Sequence, residues 1–136
     1  MEFRFGTLAD YAAPGQLNKL MIIGIFDTIY DRVGTRPIQF PPCSLVLMFT
    51  AHPTEGTEHR LELHFQNADG AELAPAVNGV LRFVPQGPGR ELVANFIGMM
   101  PVFVAPDRGV YSFEVLVDGR HMGSVPVFVQ EAPPGM

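Results

Sequence analysis

The chain is poor in several things, and each shortage removes a class of protein. It holds a single cysteine, Cys43, so no disulfide can form within it. That usage fits a reducing compartment, and cytoplasmic residence is the default expectation. Cys43 reads as a small buried hydrophobe rather than a nucleophile. Basic residues number 9 in 136, against a formal net charge of −5. A nucleic-acid binder needs clustered Lys and Arg to neutralise phosphate, so no nucleic-acid partner is expected. No unbroken apolar run exceeds seven residues even with glycine counted in, which predicts no membrane span. The opening MEFRFGTLADYA lacks the cationic start and apolar block of a signal peptide. Nor does any window carry a helical period with caps at both ends.

What the chain has is turn-formers and apolar residues. Gly 14 and Pro 13 suit a turn-rich all-β protein, and 47% hydrophobic against 17% charged residues argues against disorder. The clearest local signal is Gly109–Gly119, GVYSFEVLVDG, where Tyr111, Phe113, Val115 and Val117 alternate with Ser112, Glu114, Leu116 and Asp118. Period-two alternation puts the two sets on opposite faces of a strand. Asp118-Gly119 is a hairpin signal, and Met122–Val129 can return as the antiparallel partner.

Taken in order, strands are predicted at 2–12, with Phe3, Phe5 and Leu8 inward, then at 17–29, 44–50, 58–67, 80–84 and 91–100. Residues 30–42 form a long connection whose prolines forbid regular pairing. The expected fold is an all-β, two-sheet antiparallel β-sandwich, immunoglobulin-like or C2-like, with seven to eight strands. Residues 1–130 are expected to form that one domain and 131–136 a disordered C-terminal tail. The tetrapeptide PVFV occurs at 101–104 and 126–129, which reads as coincidence of β-rich composition.

Three stretches together carry a resemblance: LADYAAPGQLNKLMIIGIFDTI (8–29), EHRLELHFQNADG (58–70), and RGVYSFEVLVDG (108–119) with a closing VPVFV (125–129). They resemble a widespread family of small bacterial proteins known only as a domain of unknown function and thought to be β-sandwiches. Family members usually read Gly-Lys-Leu ahead of the apolar strand; here Gly15-Gln16-Leu17 stands there, followed by two extra residues. The resemblance implies a fold and brings no catalytic residues with it.

Candidate chemistry is sparse. Of the four histidines, His52, His59, His64 and His121, the pair His59 and His64 differ by an odd number and point to opposite faces of one strand. Glu62 and His64 share a face, and a third ligand from a neighbouring strand would be needed for a metal; a solvated polar face is the expectation. Asp118, His121 and Ser124 invite a triad reading, but a tight hairpin offers neither pocket nor oxyanion donors. The loop Pro85–Arg90 lacks Gly-Lys-Ser/Thr and reads as a connector. Asp27, Asp31, Asp69, Asp107 and Asp118 lack the Asp-x-Asp spacing of a calcium site. No catalytic residue, no metal and no cofactor is therefore expected.

A surplus of apolar faces is more informative. A two-sheet sandwich needs one apolar face per strand. Lys19 and Asp27 share parity with Met21, Ile23 and Ile25, so that trio should face outward. By the same argument Thr50 places Val46 and Met48 outside, and Asn95 places Val93, Ile97 and Met99 outside. Either the connection at 30–42, with Ile38 and Phe40, folds over this surface, or the surface docks. The leading expectation is a non-enzymatic interaction or structural module, a homo-oligomer or one with a protein partner. A small-molecule or apolar-ligand binder, with the ligand between the sheets or under the long connection, is the alternative, and a hydrolase using His121 or Cys43 comes third.

Overall fold

The structure is a computed structural model that describes residues 1–16, 19–32, 34–99 and 103–135. Its strands are β1 (Glu2–Pro14), β2 (Leu20–Phe26), β3 (Thr28–Asp31), β4 (Ile38–Gln39), β5 (Ser44–Ala51) and β6 (Glu58–Asn67). They continue as β7 (Val77–Arg82), β8 (Leu92–Met99), β9 (Val104–Ala105), β10 (Gly109–Val117) and β11 (Arg120–Glu131). The fold is all-β. A 3-10 turn at Pro53–Glu55 lies between β5 and β6.

The strands build a four-stranded sheet in the order β2-β1-β5-β8, a five-stranded sheet in the order β3-β11-β10-β6-β7, and a two-stranded ribbon, β4-β9. Every pairing is antiparallel except β3 with β11. Alternation decides which side of each sheet is buried. Leu61, Leu63 and Phe65 of β6, Tyr111, Phe113, Val115 and Val117 of β10, and Leu45, Leu47 and Phe49 of β5 belong to one cluster that both larger sheets share. Asp118 and Gly119 turn the closing hairpin with φ of 52° and 79°. A two-residue turn with both φ values positive matches the twist of the strands it joins.

Eleven strands in three sheets stand where seven to eight strands in two sheets were expected, and the differences have local causes. The predicted strand at 17–29 divides at Asp27, whose carbonyl accepts a hydrogen bond from Phe128 N–H at 2.8 Å. The chain there leaves the edge of one sheet and becomes the edge of the other. On the opposite flank Val84 and Val93 exchange backbone hydrogen bonds of 2.8 and 3.1 Å, tying β8 toward the end of β7. Residues 30–42 also pair, which their prolines were expected to prevent: Ile38 and Gln39, between Pro37 and Pro41, meet Ala105 and Val104. Two residues need no long proline-free run. Glu131, placed by expectation in a tail, is instead the last residue of β11 and lies opposite Asp31.

That small ribbon closes one end of the core. Phe40 lies 5.4 Å edge-on from Phe65 and 6.2 Å edge-on from Phe113. Phe103 completes the cluster, 5.1 Å edge-on from Phe113. Edge-to-face packing at such separations is favourable beyond area alone. The connection that one of the two alternatives laid over the outer face delivers Ile38 and Phe40, at 6% and 2% exposure, to the interior. In β1 a register shift between Phe3 and Phe5 turns Phe3 toward Phe49 while Phe5 lies opposite Met48. The bulge is why Phe3 and Leu8, of opposite parity, both face inward, and Phe5 does not join them.

Phe113 is fully buried, so Phe113→Ala should lower unfolding free energy by about 3–5 kcal/mol, measured by urea denaturation. Val110→Ala on the same strand, at 50% exposure, should cost less than about 1 kcal/mol.

Candidate interaction surface

β1 serves two partners in succession. Glu2–Ala9 pairs with β5, whereas Leu8–Pro14 pairs with β2. Beyond Ala9 the β1–β2 hairpin therefore continues as a two-stranded ribbon. Gly24 bends it: φ there is +71°, and a Cβ would collide with the carboxylate of Asp10. Only glycine takes that conformation beside that neighbour without strain. The hairpin end reaches the far side of the sheet, where Pro14, Gly15, Lys19 and Leu20 share a cleft of about 370 Å³ with Val84, Val93, Asn95 and Ile97.

This bend explains where the expected interface residues lie. Met21, Ile23 and Ile25 are 50%, 62% and 66% exposed, and Met99 is 73% exposed. Met48, Val93 and Ile97 are half-buried. Val46 has no accessible surface, although it stands outside the shared core cluster; Ala9, on the same side, is equally buried. Parity told which way Val46 points but not that this part of the outer face is buried. One residue was missed: Tyr11, 53% exposed, lies directly opposite Ile23 and extends the stripe onto β1. Only the β1–β2 register, invisible to single-strand parity, shows it.

The polar side chains form local pairs. Asp118 accepts from Arg60 N–H at 2.9 Å and meets His59 Nδ1 at 2.6 Å. The His59 contact, then the Arg60 N–H, hold the Asp118 carboxyl below its ordinary range. Asp118 does not meet His121 or Ser124: His121 Nε2 and Ser124 Oγ both turn to Glu114 Oε1, at 2.9 and 2.6 Å. His59 and His64 do lie on opposite faces, and His64 does meet Glu62, 3.1 Å away. Its other ring nitrogen meets Glu72, carried on the segment that bridges to Gln66. Among the described residues no group of three His, Cys, Asp or Glu side chains is arranged to hold a metal ion.

Sequence reasoning also missed an ion cluster at one end of the five-stranded sheet. Asp31, 7% exposed, takes Arg108 Nε at 2.9 Å and Arg36 Nη1 at 3.0 Å, while Arg36 Nε reaches Asp107 at 3.0 Å. Arg108 chiefly, against the cost of burial, draws the Asp31 carboxyl below its ordinary range. Asp31 and Asp107, two of the aspartates weighed for calcium, are thus neutralised by guanidinium groups. Cys43 is 3% exposed, and burial, reinforced by the charge of Asp10, pushes its thiol up to about 11. A thiol so protonated near neutral pH is a poor nucleophile.

The sequence pattern of a family of unknown function, DUF6941, matches residues 4–130. The chain belongs to that family. No curated protein matches this DUF6941 member. Among its described residues no helix is long and apolar enough to cross a membrane.

Two measurements follow from these local environments. Native protein should leave Cys43 unmodified by iodoacetamide at mildly alkaline pH, with labelling appearing only in urea; rapid native labelling would contradict its burial. His64 has a raised pKa because Glu72 first and Glu62 second hydrogen-bond to its ring. A raised folded value stabilises fully below the ordinary histidine pKa of about 6.5, and the benefit fades as pH rises through the folded value. His64→Gln should therefore lower the urea midpoint more at about pH 5.5 than at about pH 8.5.

Proposed function

We propose that this DUF6941 member is a non-enzymatic interaction module that docks, onto itself or into a larger assembly, through the apolar outer surface of its β1–β2 hairpin. The supporting observation is the exposure of Met21, Ile23 and Ile25 beside Tyr11, while the core is completed by other residues. Met21, Ile23 and Ile25 lie outside the shared core cluster. Contiguous apolar patches larger than a few hundred Å² are rare on monomers and mark sites of association. Covering it at ~25 cal/mol per Å² is worth several kcal/mol, from which the loss of rotational and translational freedom must be subtracted. The framework reads as a β-sandwich of immunoglobulin-like kind, supported by the single core that the two larger sheets share. Cytoplasmic residence goes with one buried thiol.

The alternative is an apolar-ligand binder. Space between the sheets is taken by Phe40, Phe65, Phe103 and Phe113. A cleft of about 470 Å³ beside the β2–β3 bend, walled by Ile25, Phe26, Ile29 and Tyr30 with Arg32 at its rim, is of ligand size. Native mass spectrometry separates the readings, since extra bound mass favours the ligand and multiples of the chain mass favour docking.

Light scattering over a concentration series tests the docking reading. The wild type should exceed the 14.9 kDa of one chain, and the double substitution Ile23→Lys with Ile25→Lys should return it to one chain with unchanged circular dichroism. A folded double variant with undiminished mass would overturn the reading.

A further inference from the structure

We infer that β2 pairs edge to edge with β2 of a second copy of this chain, antiparallel and centred on Ile23; this rests on the docking reading and names its partner and register. β2 is a terminal strand of its sheet, with β1 its one partner among the described residues. An unpaired edge carrying apolar side chains is a template for another strand. Two-fold antiparallel pairing opposes residues whose numbers have a fixed sum. Centred on Ile23, the exposed face sets Ile23 against itself and Met21 against Ile25 of the second copy. Lys19, the chain's sole lysine, then faces Asp27 twice over.

Charge and shape choose this register over its neighbours. Centring on Ile22 would put Lys19 against Ile25, and centring on Gly24 would put Asp27 against Met21; each strands two charges on apolar partners. Both Lys19 and Asp27 are exposed, and among the described residues neither has an ion-pair partner within its own chain; the Asp27 carboxylate accepts the Thr28 hydroxyl, at 2.7 Å. Gly24 would oppose Ile22, where its missing side chain leaves room for the larger one. Its positive φ does not shift the strand, because β1 pairs in one unbroken register on both sides of it, Ala9 with Ile25 and Tyr11 with Ile23.

Cysteine crosslinking reads the register directly, since the native Cys43 is buried. Directly opposed residues in an antiparallel pair have Cβ atoms about 4.5–5.5 Å apart, against about 3.5–4.5 Å in a disulfide, so a small backbone shift closes the bond, whereas diagonal neighbours at about 7–8 Å are out of reach. Under mild oxidation Ile23→Cys should give a covalent dimer. Met21→Cys alone should not, but should crosslink to Ile25→Cys when the two are mixed. Lys19→Glu should weaken dimerisation about tenfold and Asp27→Lys likewise, by placing like charges opposite at both ends, and the double reversal should restore it. Efficient self-crosslinking of Met21→Cys, or charge reversals without effect, would overturn the register. If the lysine substitutions at 23 and 25 dissociate the protein while the crosslinking pattern is absent, this inference falls and the docking reading stands. If the wild type stays at the mass of one chain at every concentration, both fall.

Discussion

The structure depends on side chains from two sheets filling one interior. Phe65 and Phe113, neighbours across the β6–β10 ladder, meet with ring centroids 4.9 Å apart, and Phe40 and Phe103 come in edge-on from the end. Each strand contributes only alternate residues to this interior, because a pleated backbone sends its neighbours to the other side. That geometric rule makes the outer faces independent of the core. Whatever occupies them must be explained by contacts made there, or by a partner.

Two kinds of outer surface result. On the five-stranded sheet polar groups answer one another across strands: Glu114 holds His121 and Ser124, and His64 stands between two glutamates. Such exposed pairs are each worth little to stability. The ion cluster around Asp31 does more, since it joins β3, the connection after it and the start of β10 through two guanidinium groups. On the four-stranded sheet no comparable polar network covers the hairpin among the described residues. One flank of the molecule is closed by the Val84–Val93 hydrogen bonds, whereas β2 keeps an edge with no strand on it among the described residues. Apolar side chains and an open edge coincide on the same seven residues, Leu20–Phe26.

Strands with one apolar and one polar face were legible residue by residue. Glu58–Asn67 came out as the predicted strand and the strand beginning at Gly109 with Tyr111, Phe113, Val115 and Val117 on one face, because alternation and turn residues agree there. The stretch around Leu20–Phe26 was legible as a strand with an outward trio, but not as two strands, since the break at Asp27 comes from a change of sheet rather than from a turn. Val46 misled for a related reason: parity assigns a face, while burial depends on tertiary contacts that parity does not contain. Phe40 and Phe103 were hidden by the prolines beside them. Tyr11 and the Asp31 cluster needed register and tertiary contact, which period counting does not contain.

The central claim is that β2 leaves the fold unsatisfied and is completed only by association. Hydrogen–deuterium exchange at low and high protein concentration tests it most directly. Amides of Leu20–Phe26 should exchange quickly when dilute and gain protection as concentration rises, with those of Glu58–Asn67 protected throughout. Exchange in Leu20–Phe26 that is indifferent to concentration would contradict the account.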